Sequence, residues 1–413
     1  MVPEGWKQLD LSRVCDKPIS YGIVQTGPYV KDGIPCVRVN DLSEREIRVD
    51  RMVKTSSEIN ESYKKTILEQ DEIILALRGD VGLARIVDGP LVNINITRGI
   101  ARISPNQQLV HPNYLLWELR SPTLRADLLR RVGGSALQEI SLSELRKVKT
   151  LVPPIREQVK IASTLSTWDQ AIETTEKLIE NSKAQKKALM QQLLTGKKRY
   201  SQFIDSQEKR ETKYGDLPLD WLFLPIGDIA FEQSERAGKN SKLPVLSCSK
   251  HVGFVDSLQY FKKKVYSDDT SNYKVVRRGC YGFPSNHIEE GSIGYQDICD
   301  AGIVSPIYSV FKTSKRVHDG YLFRLLKTEH YRQIFQARTN ASVDRRGSLR
   351  WKEFCEIYVP LPSVAEQQKI AETIDSADND FANLSDQLVQ LQTQKRALMQ
   401  QLLTGKRRVK VAA

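Results

Sequence analysis

The chain has 413 residues, 40% of them hydrophobic, which suffices for two or three domains with buried cores and excludes a disordered polymer. With 62 Lys and Arg against 50 Asp and Glu it carries a net charge of +12 and a pI near 9.3, a balance that favours an anionic partner, nucleic acid first. No apolar run approaches the roughly 20 residues of a membrane helix and the opening MVPEGWKQLD has no apolar secretory segment, so a cytoplasmic protein with no membrane partner is expected.

In the first block, short strands are predicted at Ile34 to Val39, Glu72 to Leu77, Ala84 to Val87 and Ile100 to Ile103. Breakers at Gly79-Asp80 and Gly89-Pro90 divide them, and a helix follows at Pro112 to Arg120. The basic and polar groups that could face a ligand gather in the turns: Arg38, Asn40, Arg78, Arg98, Arg102, and the loop Gly133-Gly134-Ser135 with Gln138. Arg, Asn and Gln are side chains that read base edges, and loops let them enter a groove.

From Ile155 the pattern becomes helical. Ile161, Leu165, Trp168, Ile172, Thr175, Ile179, Ser182, Lys186, Leu189 and Leu193 are spaced alternately four and three, the 3.5-residue seam of a coiled coil. A wider 3.6-period stripe would instead mark a helix packed on its own block. Pro154 suits a first turn and Thr195-Gly196 a stop, giving a helix about 60 Å long at the ~1.5 Å rise per residue.

The second globular block repeats the grammar, with strands predicted at Leu243 to Leu246, Lys274 to Val276 and Ile303 to Phe311, then a helix near Gly320 to Lys327. Its candidate contact residues are Ser249, Lys250 and His251; Ser285, Asn286 and His287; and Arg345, Arg346, Ser348 and Arg350. A second seam follows: Ile370, Ile374, Ala377, Phe381, Leu384, Leu388, Leu391, Lys395, Leu398 and Leu402. Ser363 with Glu366 fits a capping box and Thr404-Gly405 a stop.

The two helical blocks are copies. KKALMQQLLTGK from Lys186 returns as KRALMQQLLTGK from Lys395, in a register that runs back without insertion through Glu157 with Glu366 and Pro153 with Pro362. Pro3, Trp6 and Leu9 are echoed by Pro218, Trp221 and Leu224. The expected fold class is α+β: two mixed α/β domains separated by two long helices that pair as an antiparallel coiled coil, with a pseudo-twofold internal repeat. The boundaries fall at 1–152, 153–200, 201–361 and 362–413.

No catalytic set can be assembled. Pro153-Pro154 lacks the flanking acid or amide and aromatic of a base-holding methyltransferase loop. Gln191 stands where a phosphate-binding loop before Gly196-Lys197 needs glycine. His111, His251, His287, His318 and His330 have no metal-ligand spacing, and the six scattered cysteines suggest neither a zinc site nor a disulfide framework.

The openings PEGW and PLDW, the junctions PPIREQVKIA from Pro153 and PSVAEQQKIA from Pro362, and the paired LLTG helix ends together resemble the specificity (S) subunits of type I restriction-modification systems. The resemblance covers essentially the whole chain. It implies two target recognition domains, each reading half of a split double-stranded DNA site, and two conserved helical regions that act as spacer and docking surface. The implied partners are two modification subunits, which bind S-adenosylmethionine and methylate adenine, and restriction subunits that translocate and cleave. The first domain follows the family's strand entries at Gly33-Ile34-Pro35 and Gln70-Asp71-Glu72-Ile73-Ile74; the second departs, with Arg278-Gly279-Cys280-Tyr281 where a Gly-Asp pair is common. Insertions within Lys183 to Leu194 are expected to change the unread gap but not the half-sites. The rival readings are a fragment of a fused restriction-methylation enzyme and a coiled-coil DNA-binding scaffold or regulator.

Overall fold

Two long helices organise the chain, Ile155–Leu193 and Val364–Leu403, of 39 and 40 residues. The computed structural model describes residues 2–44, 47–133, 138–340 and 347–410. Both helices end at the repeated Thr-Gly pair, the first two residues before its threonine and the second one residue before: Gly196 and Gly405 take φ of 68° and 67°, a conformation glycine adopts without steric cost. Their amides close back on Leu193 and Leu402 carbonyls at 3.3 and 3.2 Å. At the second helix's start, Ser363 Oγ accepts from Glu366 N at 3.3 Å, but the Glu366 carboxylate does not complete a capping box. It turns inward to Arg199 and Trp221.

The chain divides into two compact units, Met1–Lys177 with Ser385–Ala413, and Leu178–Leu384. In the first unit a four-stranded antiparallel sheet runs in the order Cys15–Tyr21, Ile100–Pro105, Ile73–Ala76, Ala84–Ile86. Strand Ile73–Ala76 is buried on both faces, which is why its sequence reads as an unbroken apolar run. Ile73 and Leu75 face a core shared with Tyr114, Leu115 and Leu119 of helix Pro112–Arg120, while Ile74 and Ala76 face Val37, Leu42 and Ile96 on the other side. There Ile34–Val37 pairs antiparallel with Val53–Thr55 and parallel with Asn95–Ile96.

The second unit repeats the strand order with Ala230–Glu232, Tyr308–Thr313, Tyr281–Pro284 and Gly294–Tyr295. Its core is more aromatic: the Tyr281 and Phe311 rings stack at 4.9 Å and Phe283 lies 4.5 Å from Phe354. Two sequence-predicted strands come out differently, each because of a proline. Pro244 has no N–H to pair, so the strand begins at Leu246 and runs to Ser249. Pro306 splits the expected strand from Ile303 to Phe311 into Ala301–Val304 and Tyr308–Thr313, with Tyr308 N closing a turn on Ser305 O at 3.0 Å.

Each unit contains a segment of both long helices, and in each the segments pack against one another. In the first, Ile161, Ala162 and Leu165 share the core with Met399, Leu402 and Leu403, and Lys395 ion-pairs with Asp169. In the second, Leu193 and Leu194 share the core with Ile370, Ala371 and Ile374, and Lys186 pairs with Asp378. Early residues of one helix meet late residues of the other in both cases, so the pairing is antiparallel. None of the twenty predicted seam positions is exposed: Ile161, Leu165, Thr175, Ile179, Leu193, Ile370, Ile374 and Leu402 are buried, and the others, Leu189, Phe381, Leu388 and Leu391 among them, are half-buried.

Among the described residues no helix is long and apolar enough to cross a membrane. The six cysteines are free thiols. Burial pushes Cys15 and Cys248 up to about 12 and Cys36 to about 11, so none of these three is a thiolate near neutral pH.

Candidate nucleic-acid interface

In the first unit, six chain segments converge on a cleft of about 870 Å³. Ile23 N donates to Ile96 O at 2.8 Å and Arg98 N to Ile23 O at 2.9 Å, which sets residues 23–26 beside Thr97 and Arg98. Gly22 permits this approach, since a Cβ there would lie 1.9 Å from the Ile96 carbonyl oxygen. Thr97 N donates to Val37 O at 3.0 Å and brings up Arg38 and Asn40; Ile140 N donates to Leu77 O at 2.9 Å and brings Gln138 beside Arg78.

Arg38, Asn40, Arg78, Arg98 and Gln138, anticipated from sequence, all line this cleft. Among the described residues its walls contain no Asp, Glu or Lys. Arg38 is engaged, its Nε and Nη2 donating to the Asp41 carboxylate at 3.2 and 3.0 Å, an acid that holds the guanidinium pKa above its ordinary value. Among the described residues the side chains of Asn40, Arg78, Arg98 and Gln138 make no hydrogen bond or ion pair, so their donors are available to a ligand. Gln25 and Thr26 also line the cleft and were missed in the sequence. The signal that could have found them is the turn at Gly27, where φ is 70°.

Arg102 does not belong to this surface. It is 5% exposed and its Nε and Nη2 donate to Glu72, itself 3% exposed, at 2.7 and 2.5 Å. That pair crosses the sheet beside the Ile74 and Arg102 register and closes the core, leaving no donor for DNA. Ser135 lies outside the described residues.

The second unit presents a different arrangement. The turn after Leu246–Ser249 carries exposed Lys250 and His251, and Lys327 Nζ ties Lys250 O to Gly291 O at 3.0 and 2.8 Å. Leu349 N donates to Ser285 O at 2.8 Å, setting Ser348 and Arg350 beside Asn286 and His287. His287 and Arg350 are exposed, Asn286 and Ser348 half-buried. Ser249 and Ser285 are 8% and 6% exposed and serve the turns, Ser249 Oγ accepting from His251 N at 3.2 Å, so neither is a surface reader. Arg345 and Arg346 lie outside the described residues. His287, Glu289 and Glu290 bring ligand atoms within 4.8 Å of one another, a grouping the sequence reading did not see, and the 3.3 Å contact of His287 Nδ1 with Glu290 accounts for part of it.

Residues 3–182 match the type I restriction modification DNA specificity domain. Over 196 residues the chain is 30% identical to the Escherichia coli EcoBI specificity subunit, a stretch that spans 47% of this chain and 41% of that subunit. Over 432 positions it is 23% identical to the putative MjaX specificity subunit of Methanocaldococcus jannaschii, covering 99% and 95% of the two chains. The chain is thus similar to type I specificity subunits, through this domain over its first part and at lower identity along its whole length. It shares the fold of solved specificity subunits. The S subunit from M. genitalium superposes with a TM-score of 0.56 at 15% identity over 98% of this chain and 99% of that one. The HsdS subunit from Thermoanaerobacter tengcongensis does so at 0.50 and 14%, over 98% of each.

Proposed function

We propose that this specificity subunit reads a bipartite double-stranded DNA target, one half-site per unit, and performs no chemistry itself. The cleft of Asn40, Arg78, Arg98 and Gln138 takes one half-site; the surface of Lys250, His251, Asn286, His287 and Arg350 takes the other. In this reading residues 1–152 and 201–361 are the target recognition domains, and 153–200 and 362–413 are the helical regions that hold the unread gap constant and dock the partners. Those partners are two modification subunits, which bring S-adenosylmethionine and methylate adenine, and restriction subunits that translocate and cleave.

The observation that carries this reading is the convergence of unpaired guanidinium and amide groups, Asn40, Arg78, Arg98 and Gln138, from four segments on one cleft that no acid lines among the described residues. In protein without a ligand such groups gain nothing from assembling, since like charges brought together repel. Against a polyanion the same charges release counterions and raise affinity, which makes binding steeply salt-dependent.

Co-expression with the modification subunit, followed by single-molecule sequencing of plasmid DNA, tests it. The expected result is methylated adenine in a two-part motif with a constant gap. A stable complex that leaves no such mark, or marks a single undivided site, counts against the reading.

A further inference from the structure

We propose that the half-site read by the first unit contains a guanine taken by Arg78, and that Gly99 is the residue that positions Arg78 to take it. The proposal rests on the functional reading above and adds the identity of one base pair. It starts from what the cleft contains and what it omits. The lining offers guanidinium forks and amides but no lysine, the side chain that binds phosphate as a point charge. A planar fork instead matches the O6 and N7 acceptors of guanine, whereas an amide matches adenine. Arg38 has its Nε and Nη2 on Asp41, so among the described residues the forks left free are those of Arg78 and Arg98. Arg98 is exposed; Arg78 is half-buried and therefore the more constrained of the two.

The constraint is Gly99. An ideal Cβ built there would lie 2.7 Å from Arg78 Nε and 2.7 Å from Val39 Cγ2. The guanidinium thus lies against bare backbone, in space that any side chain at position 99 would fill. Gly99 does not have the positive φ that demands glycine, so backbone conformation is not the reason for it. What the missing side chain provides is room for Arg78. Leu77 N donates to Gly99 O at 2.8 Å and fixes the two segments in this relation. A fork held this way reaches the ligand already oriented, which lowers the cost of ordering it on binding.

Arg78→Lys keeps the charge and removes the fork; Gly99→Ala keeps the arginine and displaces it. Each variant, co-expressed with the modification subunit, is profiled by the same sequencing of methylated adenines. Both are expected to relax one and the same G·C position of one half-site, with a loss of discrimination of roughly 5- to 150-fold, and to leave the other half-site untouched. Retention of that second half-site shows that the complex is folded, and if Gly99→Ala does not assemble, Arg78→Lys decides alone. Relaxation at an A·T position overturns the proposal. So does a uniform fall in methylation with every base preference intact, which marks a phosphate contact. Unchanged specificity in Arg78→Lys overturns it too. If the native complex yields no bipartite motif at all, the functional reading itself has failed, and this proposal falls with it.

Discussion

Arg199 grips Glu366 with two arms of its guanidinium, Nε and Nη2 donating at 2.9 and 2.8 Å to a carboxylate that is 1% exposed. Trp221 Nε1 donates to the same carboxylate at 3.1 Å. The first unit builds the same clasp from Arg408, Glu157 and Trp6, which are the repeat partners of those three residues. The block opening, the junction and the helix end, three echoes scattered through the sequence, meet at one point in each unit.

Removing Arg199 strands a buried anion. Arg199→Ala is expected to cost about 3–5 kcal/mol in urea unfolding. Arg408, whose side chain is 42% exposed, is already partly solvated, and Arg408→Ala should cost less, on the order of 1 kcal/mol. Equal losses for the two variants would show that burial does not set the value of the clasp.

Glu118 gives the fold a pH dependence. It lies in the core of the first unit, accepts from Leu151 N at 3.2 Å, and burial pushes its carboxyl from 4.5 to about 8. A raised acid pKa means the native state holds a proton that the unfolded chain has already lost. Stability should therefore fall as pH rises from about 4.5 to about 8, by up to about 1.4 kcal/mol per pH unit. Glu118→Gln should flatten that slope in thermal melts taken across the window; an unchanged slope would place its origin elsewhere.

The ion pairs Lys186 with Asp378 and Lys395 with Asp169 are repeat equivalents and should behave alike to charge reversal. Lys186→Asp and Asp378→Lys are each expected to destabilise, and the double exchange to recover about 0.3–1 kcal/mol. Lys395 also lies 4.5 Å from the Trp117 ring centroid and is less exposed, so Lys395→Ala should lower the melting temperature more than Lys186→Ala.

The proposed spacer role is better tested at a different insertion point from Lys183 to Leu194. Within Lys183 to Leu194, Leu193 and Leu194 belong to the second unit's core and Leu189 packs against it, so inserted residues there would disrupt packing. One heptad added after Lys177 together with one after Leu384 leaves both Lys–Asp pairs intact. We expect the methylated motif to keep both half-sites and gain a longer gap. A changed half-site with an unchanged gap would contradict the spacer role.

Much of this is legible in the sequence. A seam repeating every 3.5 residues and a Thr-Gly stop are local properties of a helix, which is why the long helices were predicted to within two residues of their observed ends. The repeat register made Glu157 equivalent to Glu366 and Trp6 to Trp221, but not their meeting with Arg408 and Arg199, and Glu366, read as a helix cap, is a buried anion instead. Prolines at 244 and 306 were visible in the sequence, yet their effect on strand ends depends on which neighbour needs the missing N–H.

The candidate site was legible only in part, and the arginines show why. Arg98 and Arg102 lie four residues apart with the same chemistry. Only the pairing of Ile100–Pro105 against Ile73–Ala76 decides that Arg102 meets Glu72 in the core while Arg98 stays at the cleft. Sequence by itself determined the repeat, the helices and the resemblance to specificity subunits, because these follow from periodicity and short motifs along one stretch of chain. Tertiary structure alone decided which charges are free, since a charge is spent or available according to what distant segments bring beside it.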